Sequence, residues 1–279
     1  MIRFLKGSWT RLRDNLWFRE GLVVRGRYKI LRKLGMGSYG VTYLCDDLQT
    51  GLPCVLKRVS PQRGGRRKAE TIYTRETGIL QRLQHPAIPK LYECFSYRRF
   101  LCYTMEYFEG KSLEHLLFQD HAAFPEKEAL ALVANLLPTV EYIHSVGFVH
   151  RDISIANVIL KGDAVKLIDF GLARDLKDAQ TEDGEADDVE ADDPSLKRIR
   201  RKLHVTSDFY SIGHLLLFLL YSTYPEDAAP ESDTEHSWEE ELSLHPLTSR
   251  LLRRLLLAEQ PYSHVREVAE DVQSAICSL

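Results

Sequence analysis

The sequence predicts an α+β protein, with strand-like runs crowding residues 26–108 and helical patterns filling residues 111–279. Three observations carry this. Tyr28–Leu34, Val41–Leu44, Leu52–Val59 and Phe100–Tyr107 are short runs rich in β-branched and aromatic residues, separated by turn residues. Glu126–Val146 places Leu130, Val133, Leu137, Val140 and Ile143 at spacings of three and four, the buried stripe of a helix. His150–Gly171 reads as two polar turns buttressed by short apolar runs, Val158–Leu160 and Val165–Ile168.

Bulk properties narrow the class. With 279 residues, 44% of them hydrophobic, the chain suffices for one large domain or two tightly joined lobes. A formal charge of −3 gives no reason to expect a nucleic-acid partner. Cys45, Cys54, Cys94, Cys102 and Cys277 are scattered with no C-x-x-C pair, which implies reduced thiols, a cytoplasmic setting and no metal cluster. The longest apolar run, Leu215–Leu220, is far too short to span a bilayer. No stretch has the pattern of a signal peptide.

Residues 1–20 stand apart. Ile2, Leu5, Trp9, Leu12 and Leu16 form one stripe of an amphipathic helix, and five basic against two acidic residues give a local charge of +3. Two readings stay open: the stripe packs on the body of the protein or on a second copy, or it lies on an anionic membrane surface.

The first strand runs into Gly35-Met36-Gly37-Ser38-Tyr39-Gly40. A lone G-x-G-x-x-G is weak, since a dinucleotide fold shares it; that fold needs a helix straight after the glycines. Val41-Thr42-Tyr43-Leu44 follows instead, so a strand–turn–strand is expected. Such a hairpin lays backbone N–H groups over phosphates, which side chains at Gly35, Gly37 and Gly40 would obstruct. The next strand carries Lys57, and Arg63–Lys68 reads as a solvated loop. A helix over residues 69–83 holds Glu76 and ends at His85-Pro86. Helices are further expected over Leu113–Phe118, from Asp208, over Ser249–Leu257 and over Val265–Leu279, the one from Asp208 apolar all round and therefore buried.

Asp152, Asn157 and Asp169 are three oxygen donors on adjacent turns. Phosphoryl transfer asks for such a set: one carboxylate to orient and deprotonate a hydroxyl, and two oxygen ligands to hold a divalent ion. His150-Arg151-Asp152, with Asn157 five residues on and Asp169-Phe170-Gly171 twelve beyond that, resembles the catalytic and metal-binding loops of Hanks-type protein serine/threonine kinases. The likeness covers Tyr28 to the C-terminus and is nearest to the small soluble kinases of Gram-positive spore-forming bacteria.

The resemblance implies a bilobal protein kinase fold, with a β-rich N-lobe (26–108), a mainly helical C-lobe (111–279) and residues 1–25 as an extension. It implies ATP and Mg²⁺, with Mn²⁺ as an alternative, and a protein substrate. Asp152 then activates the hydroxyl, Asn157 and Asp169 hold the metal, and Lys57 paired with Glu76 steadies the phosphates. Gly35 through Gly40 cover the phosphates. Thr42, Val55, Met105 and Ile159 line the adenine, whose edge meets the Glu106 carbonyl and the Phe108 N–H. Leu80, Leu91, His150 and Phe170 match an internal apolar column, and Asp208 is expected to accept bonds from the catalytic-loop backbone.

Four departures qualify the likeness. Thr42 stands where the pattern has Val, and Val55 where it has Ala. Ser154 replaces the Lys that faces the γ-phosphate, which implies slower chemistry. After Arg174 comes an acidic run, residues 182–193, then a basic one, with no Ala-Pro-Glu, while His264 takes the place of the Arg that pairs with that Glu. The run reads as solvated loop or as a brake on Arg151, with Thr181 and Ser195 as candidate phosphosites. Rival readings are a nucleotide-binding pseudokinase scaffold and a small-molecule kinase.

Overall fold

Alternating burial along 40–47, with Val41, Tyr43, Cys45 and Asp47 inside and the residues between them half-exposed, is the period-two signature that sheet pairing demands. The computed structural model describes residues 17–37, 39–59, 65–180, 202–225 and 237–279. It divides into two units, one running through Gln84 with Pro89–Tyr107, the other combining His85–Ile88 with Phe108–Leu279.

The first unit is built on an antiparallel six-stranded sheet. Its strands are β1 (Val23–Val24), β2 (Tyr28–Gly37), β3 (Gly40–Asp47), β4 (Pro53–Val59), β5 (Leu91–Tyr97) and β6 (Phe100–Glu106), in the order β1-β2-β3-β4-β6-β5. Helix α1 (Gly65–Arg82) buries Ile72, Glu76, Thr77, Ile79 and Leu80. It starts earlier than expected, so Arg66, Arg67 and Lys68 are helical and not loop. Gly65 takes the left-handed backbone that turns the chain into the helix, with φ +60°, and Arg66 pairs with Glu70 one turn on.

Arg27 braces this sheet. Its guanidinium donates to both oxygens of Asp47 at 2.7 Å, which holds that carboxyl well below the usual carboxylate range. Tyr28 Oη donates to Glu93 at 2.5 Å, tying β2 to β5. A cluster of Phe18, Ile30, Val41, Tyr43, Cys45, Cys54, Leu56, Phe100 and Cys102 forms the core. Trp17 and Leu22 pack against it.

The second unit centres on two helices, α3 (Glu126–Ser145) and α4 (Thr206–Tyr221). The predicted stripe of α3 is buried in full, and α4 buries residues on every side from Ser207 to Leu220. Gly213 allows α4 to approach its neighbour closely: a Cβ there would lie 3.0 Å from Leu255 and Leu256 side-chain atoms. The remaining helices are α2 (Leu113–Phe118), which follows β7 (Lys111–Ser112), and the short α5 (Trp238–Glu241), with α6 (Pro246–Leu255) and α7 (Val265–Ser278). Helix α6 begins three residues before the expected Ser249, because Pro246 suits a first helical turn and the His245 ring accepts the Leu247 N–H at 3.3 Å. Hairpin β9 (Val158–Lys161) and β10 (Ala164–Leu167) pairs with β7, and β8 (Phe148–Val149) pairs with β11 (Arg174–Asp175).

His264, where the resemblance expects an Arg, caps α7: its Nδ1 accepts the Arg266 N–H at 3.1 Å. A different Arg ties α6 to α7. Arg254 lies 3.7 Å over the Tyr262 ring and donates to Asp271 at 2.7 Å. The acidic run, Thr181, Ser195 and the stripe of residues 2–16 lie outside the described residues, as do residues 226–236. Among the described residues no helix is long and apolar enough to cross a membrane.

Candidate active site

Strand register places Lys57. In the ladders of the first unit Lys57 lies opposite Thr42 and Tyr103, and Val55 opposite Leu44 and Met105. Side chains alternate, so Thr42, Val55, Lys57 and Met105 share one sheet face. Lys57 Nζ lies 2.6 Å from Glu76 Oε1 on α1, with the side chains 5% and 1% exposed. At that burial the lost hydration offsets most of the attraction, so the pair orients the amine more than it stabilises the fold.

Strands β2 and β3 close at Gly37 opposite Gly40, the strand–turn–strand read from sequence. Ser38 lies outside the described residues. Met36 is exposed and Tyr39 half-buried. The three glycines do not share one cause. A Cβ on Gly40 would lie 2.3 Å from the Arg58 backbone oxygen, so β4 itself excludes a side chain there. Gly35 would meet only Thr42 Oγ1 at 3.4 Å, and nothing lies within 4 Å of a Cβ on Gly37. Glu106 closes β6, its backbone N–H donating to the Lys90 carbonyl at 2.9 Å.

In the second unit the β9–β10 hairpin brings two of the oxygen donors together. Val158 pairs with Leu167, so Asn157 and Asp169 flank the open end of one ladder. The Ile168 N–H donates to the Asn157 carbonyl at 2.9 Å and joins the two turns. Asn157 Nδ2 donates to the Asp152 backbone oxygen at 2.9 Å and to its carboxylate Oδ2 at 2.8 Å. Both amide hydrogens are thereby committed, which fixes the amide's orientation and leaves Oδ1 as its acceptor. The Gly171 N–H donates to Asp169 Oδ1 at 3.1 Å and orients that carboxylate. Asp169 itself sits at φ +62° and Arg151 at φ +65°, backbone conformations that cost energy unless the surroundings impose them.

Asp208 supplies that constraint for the catalytic loop. Its carboxylate accepts the His150 N–H at 2.9 Å and the Arg151 N–H at 2.7 Å, as the sequence suggested. It also meets His144 Nε2 at 2.8 Å, a partner that sequence reasoning missed, because nothing local marks a His in the last turn of α3. Burial pushes the Asp208 carboxyl up, but its bonds to His144 and the loop amides outweigh that and leave it below its ordinary value. Burial lowers the His150 imidazole, whose edge meets the Phe170 ring with centroids 4.7 Å apart. Ile153 and Ile155 point inward, Ser154 is half-buried, and the Glu114 N–H on α2 donates to the Ile155 carbonyl at 2.9 Å. Ile159 lies in β9 and packs beside Gly110, where a Cβ would fall 2.5 Å from the Leu160 oxygen. Phe108 carries Lys166 Nζ at 5.2 Å from its ring.

Asn157 and Asp169 suit Mg²⁺, which takes one or two protein oxygens and fills its octahedron with phosphates and water. Among the described residues no group of three or more His, Cys, Asp and Glu is placed to hold a metal ion.

A β-sheet unit with a buried Lys–Glu pair and a helical unit with paired Asp/Asn turns define a protein kinase, and comparison with known proteins agrees. The protein kinase domain family matches residues 28–278, and the chain belongs to that family. It is 34% identical to the probable serine/threonine-protein kinase YbdM of Bacillus subtilis, over 94% of each chain. It is 30% identical to serine/threonine-protein kinase B of Synechocystis, covering 92% of this chain but 47% of that longer one. The kinase domain of Mycobacterium tuberculosis PknI shares the fold, with a TM-score of 0.67 at 22% identity over 94% of this chain and 99% of that one.

Proposed function

We propose that this protein serine/threonine kinase moves the γ-phosphoryl group of ATP to a protein hydroxyl through Asp152, with Asn157 and Asp169 holding Mg²⁺. The observation that carries the reading is the Asn157 side chain, which grips Asp152 through its amide and so leaves Oδ1 as the atom that would hold a metal. Asp152 orients and deprotonates the acceptor hydroxyl. Lys57, set by Glu76, steadies the phosphates, and the Gly35–Gly40 hairpin covers them with backbone N–H groups. Bound Mg²⁺ neutralises charge on the phosphates; rate then comes from positioning and from charges already in place. Thr42, Val55, Met105 and Ile159 contact the adenine, and Glu106 and Phe108 meet its edge.

Ser154 offers a hydroxyl where a full cation would face the γ-phosphate, so the chemistry is slow but present. Replacing it by Lys is expected to raise kcat several-fold in a transfer assay, roughly the worth of one added charge contact on the moving phosphoryl. No rise, with the variant folded, would place the γ-phosphate elsewhere. The protein acts in the cytoplasm, and the basic amphipathic segment of residues 1–20 contacts a second copy or an anionic membrane. Sedimentation of the full chain with and without phosphatidylserine vesicles separates these. The test of the reading as a whole is transfer of labelled phosphate from ATP and Mg²⁺; nucleotide binding without transfer would leave a scaffold.

A further inference from the structure

Lys57 and Arg58 are neighbours on β4 and face opposite sides of the sheet. On the Lys57 side stands Glu76. On the other side Arg58, though charged, is only 3% exposed. Its guanidinium carbon lies 4.9 Å from the Phe18 ring centroid and 4.8 Å from that of Phe100, between two aromatic faces. Phe18 is itself buried. It stacks on Tyr43 of β3 with centroids 5.6 Å apart, and meets Tyr97 and Phe100 edge-on at 5.8 and 5.7 Å.

One side chain therefore touches β3, β4 and the β5–β6 hairpin at once. The segment carrying it is pinned at both ends. Trp17 lies beneath Arg98 and Arg99, 4.9 and 5.0 Å from its ring, and packs edge-on against Phe100. Beyond Phe18, the Gly21 N–H donates to the Ile30 carbonyl and the Ile30 N–H to the Leu22 carbonyl, both at 2.8 Å. Trp17–Leu22 is thus a clasp laid across the outer face of the sheet, and its grip falls on the residue next to the site lysine.

We infer that Phe18 and Arg58 are positioning residues for the nucleotide: the clasp fixes the tilt of β4, and through it the place of the Lys57 amine. The inference rests on Lys57 being the lysine that contacts the phosphates. Small displacements suffice, because the charge-assisted bond of an ammonium to a phosphate oxygen is made at about 2.7–2.9 Å and weakens as the amine moves away.

The test uses the full chain, with ATP·Mg²⁺ affinity measured by direct titration, KM and kcat from autophosphorylation, and melting temperature. Phe18→Leu keeps apolar bulk and removes the ring face. Arg58→Lys keeps the charge and removes the flat guanidinium. Phe95→Leu is the matched control, a core aromatic of the same cluster that stacks on Tyr28 with ring centroids 5.7 Å apart. The expected result is that Phe18→Leu and Arg58→Lys each weaken ATP binding and raise its KM by about tenfold with kcat within about twofold, a loss of binding and not of chemistry. Phe95→Leu lowers the melting temperature and leaves ATP affinity alone. Unchanged affinity in both clasp variants, or an equal loss in Phe95→Leu, overturns the inference. Lys57→Met separates the underlying assumption: if it binds and transfers like wild type, the role given to Lys57 fails whatever Phe18 does.

Discussion

Asn157 grips Asp152 through its amide and, in the function proposed, holds the metal through Oδ1, so its replacement tests both roles at once. With Ala there, Asp152 loses the amide at 2.8 Å and the metal loses Oδ1. The expected outcome is a turnover loss of about 10²–10⁴-fold, the range for removing a positioned acid–base contribution, together with a higher Mg²⁺ requirement read from a metal titration. A loss in turnover with the Mg²⁺ midpoint unmoved would take Asn157 out of the metal site. That Asp152, Asn157 and Asp169 stand on adjacent turns was legible in sequence, because oxygen-bearing side chains at fixed spacings flank two short apolar runs. Their supports were not. His144 and Arg58 reach their partners from distant strands and helices, and neither has a local pattern that reports a contact 64 residues away or a ring from the far side of a sheet.

At the scale of elements, the glycine hairpin shows one motif serving two causes. Gly40→Ala sets a Cβ 2.3 Å from the Arg58 backbone oxygen and must push β3 from β4. It is expected to destabilise the protein by about 1–3 kcal/mol, as overpacking of a tight contact does. Gly37→Ala meets open space and is expected to change stability by less than about 0.5 kcal/mol, as for most surface changes, while weakening ATP if phosphates lie against the loop. Denaturant melts and nucleotide titrations of the two variants check both halves; equal stabilities would refute the packing cause. Element type was read correctly from periodicity for the strands from Tyr28, Val41, Leu52 and Phe100 and for the long helices, since the hydrophobic stripe is set by the element itself, whereas β5 (Leu91–Tyr97) was not read as a strand. Starts were less legible: α1 begins at Gly65, and α6 begins at Pro246 because His245 caps it, which a stripe of apolar residues does not encode. His264 is a further case. Its place invited a lost ion pair, and in the fold it caps α7 while Arg254 ties the helices.

For the whole molecule, acid is the global probe. His150 and His85 both sit below the ordinary imidazole value because burial disfavours the charged ring. The unfolded chain therefore binds protons that the folded one refuses. Stability is full above about pH 6.5 and falls as pH drops toward the folded values, by up to about 1.4 kcal/mol per pH unit for each such group. Asp208, held below its ordinary value, adds a loss only at lower pH, as its carboxylate takes up a proton. Melting temperature from pH 7.5 to 5.5 is expected to decline, and more shallowly in His150→Phe, which keeps the ring contact with Phe170; an equal slope in the variant would remove His150 from the account. The division into a β unit and a helical unit was readable from the order of strand and helix patterns. The clasp ahead of the sheet was not, because two aromatic residues in an otherwise basic stretch carry no period.

The central claim is that Asp152, Asn157 and Asp169 carry phosphoryl transfer, and labelled transfer from ATP tests it most directly. Purified wild type with Mg²⁺ is expected to label itself or a generic protein acceptor on serine or threonine. Asp152→Asn and Asp169→Asn, folded by their melting curves, are each expected to lose that labelling by about 10²-fold or more. Labelling that survives both substitutions, or none in wild type that still binds ATP, would contradict it.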